Sequence, residues 1–323
     1  MKNRMRVIII RMMPPNAPCL RLRVAAAFAV SLAVFGAGCA TTSSTTKSGV
    51  VMAVGAENEY ANVVAQIGGK YVEATAIMSN PNTDPHSFDA SPSVATEVSA
   101  AQLIVQNGGG YDTFMNTIEA ASPSADRKVI DVQTLLGLPS TTPNPHLWYD
   151  PTTMPAVAKA IANDLSALAP SHADYFKANL GQFDRSLAPW LQAIAHLRAT
   201  YPGTPVAVTE PVADYLLEAV GANNETPFSF QADIMNGVDP APQDVALERS
   251  LLSQHKVKVF VYNQQVVDPL TESLLSLAKQ DGIPVVAVYE TMPTPGYDYQ
   301  SWMLAEVQSL QKALASKIST HRL

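Results

Sequence analysis

The chain has 323 residues, enough for two folded lobes rather than one small domain. With 47% hydrophobic and 15% charged residues it can bury a sizeable core, which excludes a disordered polymer. Its net charge of -7 conceals six basic groups, Lys2, Arg4, Arg6, Arg11, Arg21 and Arg23, ahead of residue 40; without them 15 basic groups face 28 acidic ones, a net -13 that disfavours nucleic acid and suits a cationic partner.

The basic stretch runs into residues 24–37, fourteen positions without a charge, then Gly38 and Cys39. This is the pattern of a signal peptide over residues 1–39. Its apolar core is shorter than the ~20 residues that span a bilayer. Gly36, Ala37 and Gly38 before Cys39 resemble the bacterial lipobox, with Gly36 where leucine is usual. That resemblance implies lipidation of Cys39 and an extracytoplasmic protein anchored to the bacterial cell membrane. Cys19, the only other cysteine, lies in the leader, so a mature chain with a lipidated Cys39 has no disulfide. Residues 40–49 are small and mostly polar and read as a flexible tether.

An α/β body follows. A strand is expected at 50–54, a helix at 57–67 and a strand at 71–78, then a helix at 92–100, a strand at 103–106, a helix at 113–121 and a strand at 129–131. Residues 50–170 thus form a first lobe, a parallel sheet covered by helices. Apolar residues at three-to-four-residue steps from Tyr175 to Ile194 predict a long connecting helix over 171–199, which Pro189 should kink or split. The alternation resumes in a second lobe, 200–323. It has a strand at 206–209, helices at 212–220 and 242–255, a strand at 257–262, a helix at 269–279, a strand at 284–289 and a last helix at 299–315.

Ligands of open parallel sheets bind beyond the carboxyl ends of the strands. His86, in DPHSFDASP, and His146, in NPHLWYDP, occupy proline-stiffened loops there; Glu210 and Glu290 directly follow two strands of the second lobe. Two imidazoles and two carboxylates would suit a divalent transition metal. Each has a plainer reading: a hydrogen-bonded loop histidine, a carboxylate at a helix start for Glu210, a solvated loop acid for Glu290. His172, His196, His255 and His321 fall on expected helices or the tail and read as structural.

The two histidine motifs together resemble those of the cluster A-I (TroA-like, cluster 9) solute-binding proteins of bacterial ABC importers, and TEPVADYLLEAVG and VVAVYETMP match that family's later segments in type and order. The resemblance covers about residues 50–320. It implies two α/β lobes joined by a long helix, with a metal ion between them held by His86, His146, Glu210 and Glu290. The fourth position is commonly aspartate; Asp298 and Asp268 are the alternatives to Glu290. Asp89, Asp150 and Asn263 are candidates for orienting the ligands, Asp150 having a helix cap as its plainer role.

The function implied is capture of Zn²⁺ or Mn²⁺, as transported ligand, for an ABC permease and its ATPase. A secreted metal-dependent hydrolase and an adhesion lipoprotein are the rival readings. No HExxH or GxSxG supports an enzyme. No other histidine lies between His86 and His146, so the histidine-rich loop of many zinc-specific relatives is missing.

Overall fold

The computed structural model describes residues 49–82 and 85–323; the leader, Cys39 and tether residues 40–48 lie outside them. The first half contains β1 (Val51–Glu57), α1 (Asn58–Gly68), β2 (Val72–Met78), α2 (Pro92–Ala100), β3 (Leu103–Gln106), α3 (Thr113–Ala121), β4 (Lys128–Asp131) and the single turn α4 (Val132–Leu135). Three helices follow, α5 (Thr153–Leu168), α6 (Ala173–Ser186) and α7 (Ala188–Thr200). The second half contains β5 (Pro205–Val208), α8 (Asp214–Ala219), β6 (Asn223–Asn224), α9 (Phe228–Met235), α10 (Pro242–Ser253), β7 (Val259–Asn263), α11 (Pro269–Gln280), β8 (Val285–Val288) and α12 (Tyr299–Ser316).

The sheets have the same topology. Their orders are β2-β1-β3-β4 and β6-β5-β7-β8, with every pairing parallel. Helices cover both faces, so the inner strands are apolar throughout rather than alternating: Leu103, Ile104 and Val105 of β3 and Val259, Phe260 and Val261 of β7 are all buried. In each sheet the order reverses beside its first strand, and parallel pairing sends all carboxyl ends to one edge. That edge is where loops from different strands can converge. Gly55 lets α1 fold back over β1, since any side chain there would strike the Ala61 backbone.

One apolar core runs through both halves. It joins Val51 and Leu103 of the first sheet to Val206 and Val288 of the second through Trp148, Phe183, Trp190 and Trp302. Smaller cores lie against the other sheet faces, around Phe260, Leu252 and Leu274 in one half and Ile104, Val98 and Met115 in the other. Helices α6 and α7 meet at Leu187. Pro189 has no N–H to offer the Arg185 carbonyl four residues back, so the helical bonding is interrupted there. Trp190, at the start of α7, packs edge-on against Tyr299 of α12, with ring centroids 5.8 Å apart.

The elements expected at 92–100, 103–106 and 113–121 form with those bounds. Absent from the expectation are the single turn α4, α5, α9 and the two-residue β6. The buried face of α5, Met154, Val157, Ala158, Ile161 and Leu165, has helical spacing, but the many alanines of this segment leave little contrast between its faces. Among the described residues no helix is long and apolar enough to cross a membrane.

Trp190→Ala should cost about 3–5 kcal/mol, the usual price of emptying an aromatic core site. Leu191→Ala, at a position 41% exposed, should change stability by less than about 0.5 kcal/mol, both read from urea unfolding.

Candidate metal site

The site is assembled from four segments at the carboxyl ends of the sheets. His86 stands in a helical turn, Pro85–Ser87, in the loop after β2. His146 follows Asn144 and Pro145 and opens the turn Leu147–Tyr149. Glu210 lies two residues beyond the end of β5, and Glu290 two beyond the end of β8.

Three of the four converge. His86 Nε2 and His146 Nε2 each lie 3.2 Å from the same atom, Glu290 Oε2. An ion with bonds of about 2.0–2.1 Å in tetrahedral geometry sets its ligand atoms roughly 3.3 Å apart, so this spacing is that of a metal's coordination edge. The ligand atoms of His86, His146 and Glu290 all fall within 4.8 Å of one another. Glu210, also buried, is linked to this group through Asn263, whose Nδ2 donates to Glu290 Oε1 at 2.7 Å and to Glu210 Oε1 at 3.3 Å.

The tautomer of His146 is set from behind. Asn144 donates through Nδ2 to the Pro211 carbonyl, so its Oδ1 is the acceptor for His146 Nδ1–H at 2.8 Å. A neutral His146 therefore turns the bare Nε2 toward Glu290 Oε2. A lone pair and an anionic oxygen at 3.2 Å repel unless a cation stands with them, either a proton or a metal ion. Burial pushes the His146 imidazole below its usual range, with Glu290 partly offsetting this. Burial alone would raise Glu290, but imidazoles that carry a proton on Nε2 donate to it and attract it, which outweighs burial and holds the carboxyl below the usual carboxylate range. Neutral imidazoles and an ionised carboxylate are the states that bind metal.

The surroundings are aromatic and acidic. Tyr111 donates to Glu290 Oε2 at 2.9 Å, and its ring meets His86 edge-on with centroids 5.0 Å apart; Trp148 packs edge-on against His146 at 5.4 Å. Glu57, Glu59 and Asp112 are buried close by. Burial pushes Asp112 up to about 6 against the pull of its bonds from the Asn107 and Gly108 amides, and Glu57 is raised by burial and by the charge of the adjacent Asp112. Among the described residues no Lys or Arg pairs with any of these acids.

The remaining expected residues have other places. Asp268 and Asp298 each cap a helix, α11 and α12, through reciprocal bonds with the third residue. Asp150 Oδ1 accepts from Thr152 N and Oγ1, both at 2.7 Å, closing a turn ahead of α5 without capping it, since the helix's N-cap is Thr152. Asp89 is exposed. His172 stacks on Tyr71 with centroids 3.6 Å apart, and His255 takes a left-handed φ of 53° just after α10.

Tyr111, Asn144 and Gln265 are absent from the sequence reading. Gln265 Oε1 accepts the Glu290 and Thr291 amides at 2.6 and 2.9 Å, holding the backbone at Glu290. Tyr111 did have a signal. It follows Gly108, Gly109 and Gly110, with φ of 74°, 64° and 85°, and three successive glycines at a strand end mark a backbone that other residues rarely adopt.

Two parallel α/β halves whose loops bring imidazoles and carboxylates together between them define a metal-binding protein of the two-lobed kind. The chain belongs to the family described as zinc-uptake complex component A, periplasmic, whose sequence model matches residues 54–313. It is 23% identical over 303 residues to the manganese ABC transporter substrate-binding lipoprotein PsaA of Streptococcus pneumoniae, covering 88% of this chain and 96% of that protein. It is 24% identical over 174 residues to the high-affinity zinc uptake system protein ZnuA of Haemophilus influenzae, 54% of this chain and 50% of that one. Among solved structures, the periplasmic zinc binding protein TroA from Treponema pallidum matches with a TM-score of 0.69 at 17% identity, over 84% of this chain and all of that one. The Mn-bound periplasmic metal binding protein from Candidatus Liberibacter asiaticus matches with 0.67 at 18%, over 82% and 99%.

Asn263→Ala should weaken Zn²⁺ binding about 10- to 100-fold, the range for groups that orient ligands. His146→Ala should weaken it further and His172→Ala should leave it unchanged, as read by isothermal titration of the three variants.

Proposed function

We propose that this protein captures a divalent transition metal, Zn²⁺ or Mn²⁺, outside the cytoplasm and delivers it to an ABC permease driven by its ATPase. The observation that carries this reading is the convergence of two imidazole Nε2 atoms on one buried carboxylate oxygen, each at 3.2 Å, a ligand set and spacing that fit a divalent transition metal. His86, His146 and Glu290 would be the ligands, with Glu210 as a fourth brought in beside Asn263. Membership of the family and the binding-protein names of the relatives support transport in place of catalysis. Neither rival reading, hydrolase or adhesion lipoprotein, has a specific observation in its favour.

Nitrogen ligands suit both ions; carboxylates favour Mn²⁺, while the general affinity order favours Zn²⁺. Elemental analysis of protein purified from its own cells, with competition between the ions, tests the reading. One equivalent of zinc or manganese per chain supports it, and the absence of any transition metal under metal-replete growth overturns it. The lipid anchor at Cys39 is part of the proposal: Cys39→Ala should move the protein from the membrane fraction to the soluble one.

Because burial depresses His146, protons should compete with metal only below the ordinary imidazole value of about 6.5. Affinity should be flat from pH 8 to 7 and fall at more acid pH. The metal-free fold should follow the same sign: a depressed imidazole stabilises it above about pH 6.5, and that stability is lost as pH falls toward the folded-state value. Titration calorimetry and thermal unfolding across pH 5 to 8 read both.

A further inference from the structure

Helix α1 carries Asn58, Asn62 and Gln66 at four-residue intervals, which places their side chains along one face. All three reach the chain that follows Glu290. Asn58 Nδ2 donates to the Met292 carbonyl at 2.8 Å, and Asn58 Oδ1 accepts the Met292 amide at 2.9 Å, a closed two-bond pairing of side chain and backbone. Asn62 Oδ1 accepts the amide of Tyr299 at 3.1 Å, one of the first-turn N–H groups that α12 leaves without an internal partner. Gln66 and Gln300 exchange amide bonds of 3.0 and 2.9 Å. Asn62 also accepts from Gln66 at 2.6 Å, joining two rungs of the ladder.

The ladder has a mechanical consequence for Glu290. On one side its backbone is held by Gln265, and its carboxylate by Asn263, from the second half. Two residues later the chain is clamped to α1, in the half that carries His86 and His146. If the halves separate with the ladder intact, Met292 stays with the imidazoles and pulls on Glu290; if Glu290 is to withdraw with its own sheet, the ladder must open. Asn58 is buried, so breaking its pair strands two polar backbone groups away from water.

We propose that Asn58, Asn62 and Gln66 are positioning residues that latch residues 292–300 onto the first half and thereby set how slowly the bound ion leaves. The inference rests on Glu290 being a metal ligand. The latch touches no ion; it acts through the position of Glu290 and therefore on dissociation more than on association, the usual locus of affinity differences among variants of one site.

The test is stopped-flow release of Zn²⁺ from the loaded protein into excess chelator, with association measured separately. Asn58→Ala and the pair Gln66→Ala with Gln300→Ala should each speed release by about tenfold or more, with association within about twofold of the parent. The charge exchange gives a variant that keeps the fold: Gln66→Glu and Gln300→Lys should each release faster, and the double variant, whose opposite charges restore the rung, should return toward the parental rate. A part in stability alone predicts instead an equal loss of thermal stability with and without Zn²⁺ and no recovery of the release rate in the double variant. Parental release rates in Asn58→Ala and in the glutamine variants, measured with His146→Ala defective in binding, overturn the latch and leave the metal site standing. Zn²⁺ binding that is unaffected by His146→Ala overturns the site itself and the latch with it.

Discussion

A carboxylate buried between two imidazoles is the interaction on which the rest depends. Glu290 is fully buried and no Lys or Arg among the described residues compensates it. An unpaired ion in such surroundings is costly enough that it would normally take up a proton. Tyr111 and Asn263 donate to its two oxygens, and the His86 and His146 rings can hold it ionised only when a proton on Nε2 makes them donors as well. A divalent ion serves the same end with more charge. The site thus has its own electrostatic reason to take a cation from water.

The fold makes that convergence possible by duplication. Each sheet places its first strand inside, with later strands added on both sides, so each half directs several loops toward one edge. Bonds then cross between the halves close to these side chains. Asn144, two residues before His146, holds the Pro211 carbonyl next to Glu210; Tyr149, three residues after His146, donates to the Tyr289 carbonyl next to Glu290. The loops that carry His146, Glu210 and Glu290 are therefore each positioned partly by the opposite half. With a common core beneath them, the halves are suited to small adjustments around the site more than to wide opening.

The acidic neighbourhood is the less expected feature. Glu57, at the last position of β1, is raised by burial and by the charge of nearby Asp112, which follows the three glycines, while Glu59 is raised chiefly by burial with Glu290 adding to it. Several acids near one cation site make its surroundings negative when ionised and nearly neutral when protonated, so the field at the site depends on how many protons they hold.

The sequence by itself determined the α/β class, the strand-end loops and the histidines, because alternating apolar periods and the proline-flanked DPH and NPH segments are local patterns. It also brought out Glu210 and Glu290, as acids directly after strands, and Asn263 through the family resemblance. What it left open was decided only by tertiary contact. Asp268 and Asp298 directly precede expected helices, which marks them as caps, but nothing local shows that Glu290 is buried against two imidazoles from the other half. Likewise Asn58 with Met292, Asn144 with Pro211 and Tyr111 with Glu290 are pairs separated by 234, 67 and 179 positions, joined by bonds that exist only once both sheets have folded around the shared core. A side chain's periodicity says which face it occupies; which distant group meets it depends on how the elements pack, and packing is a property of the whole chain.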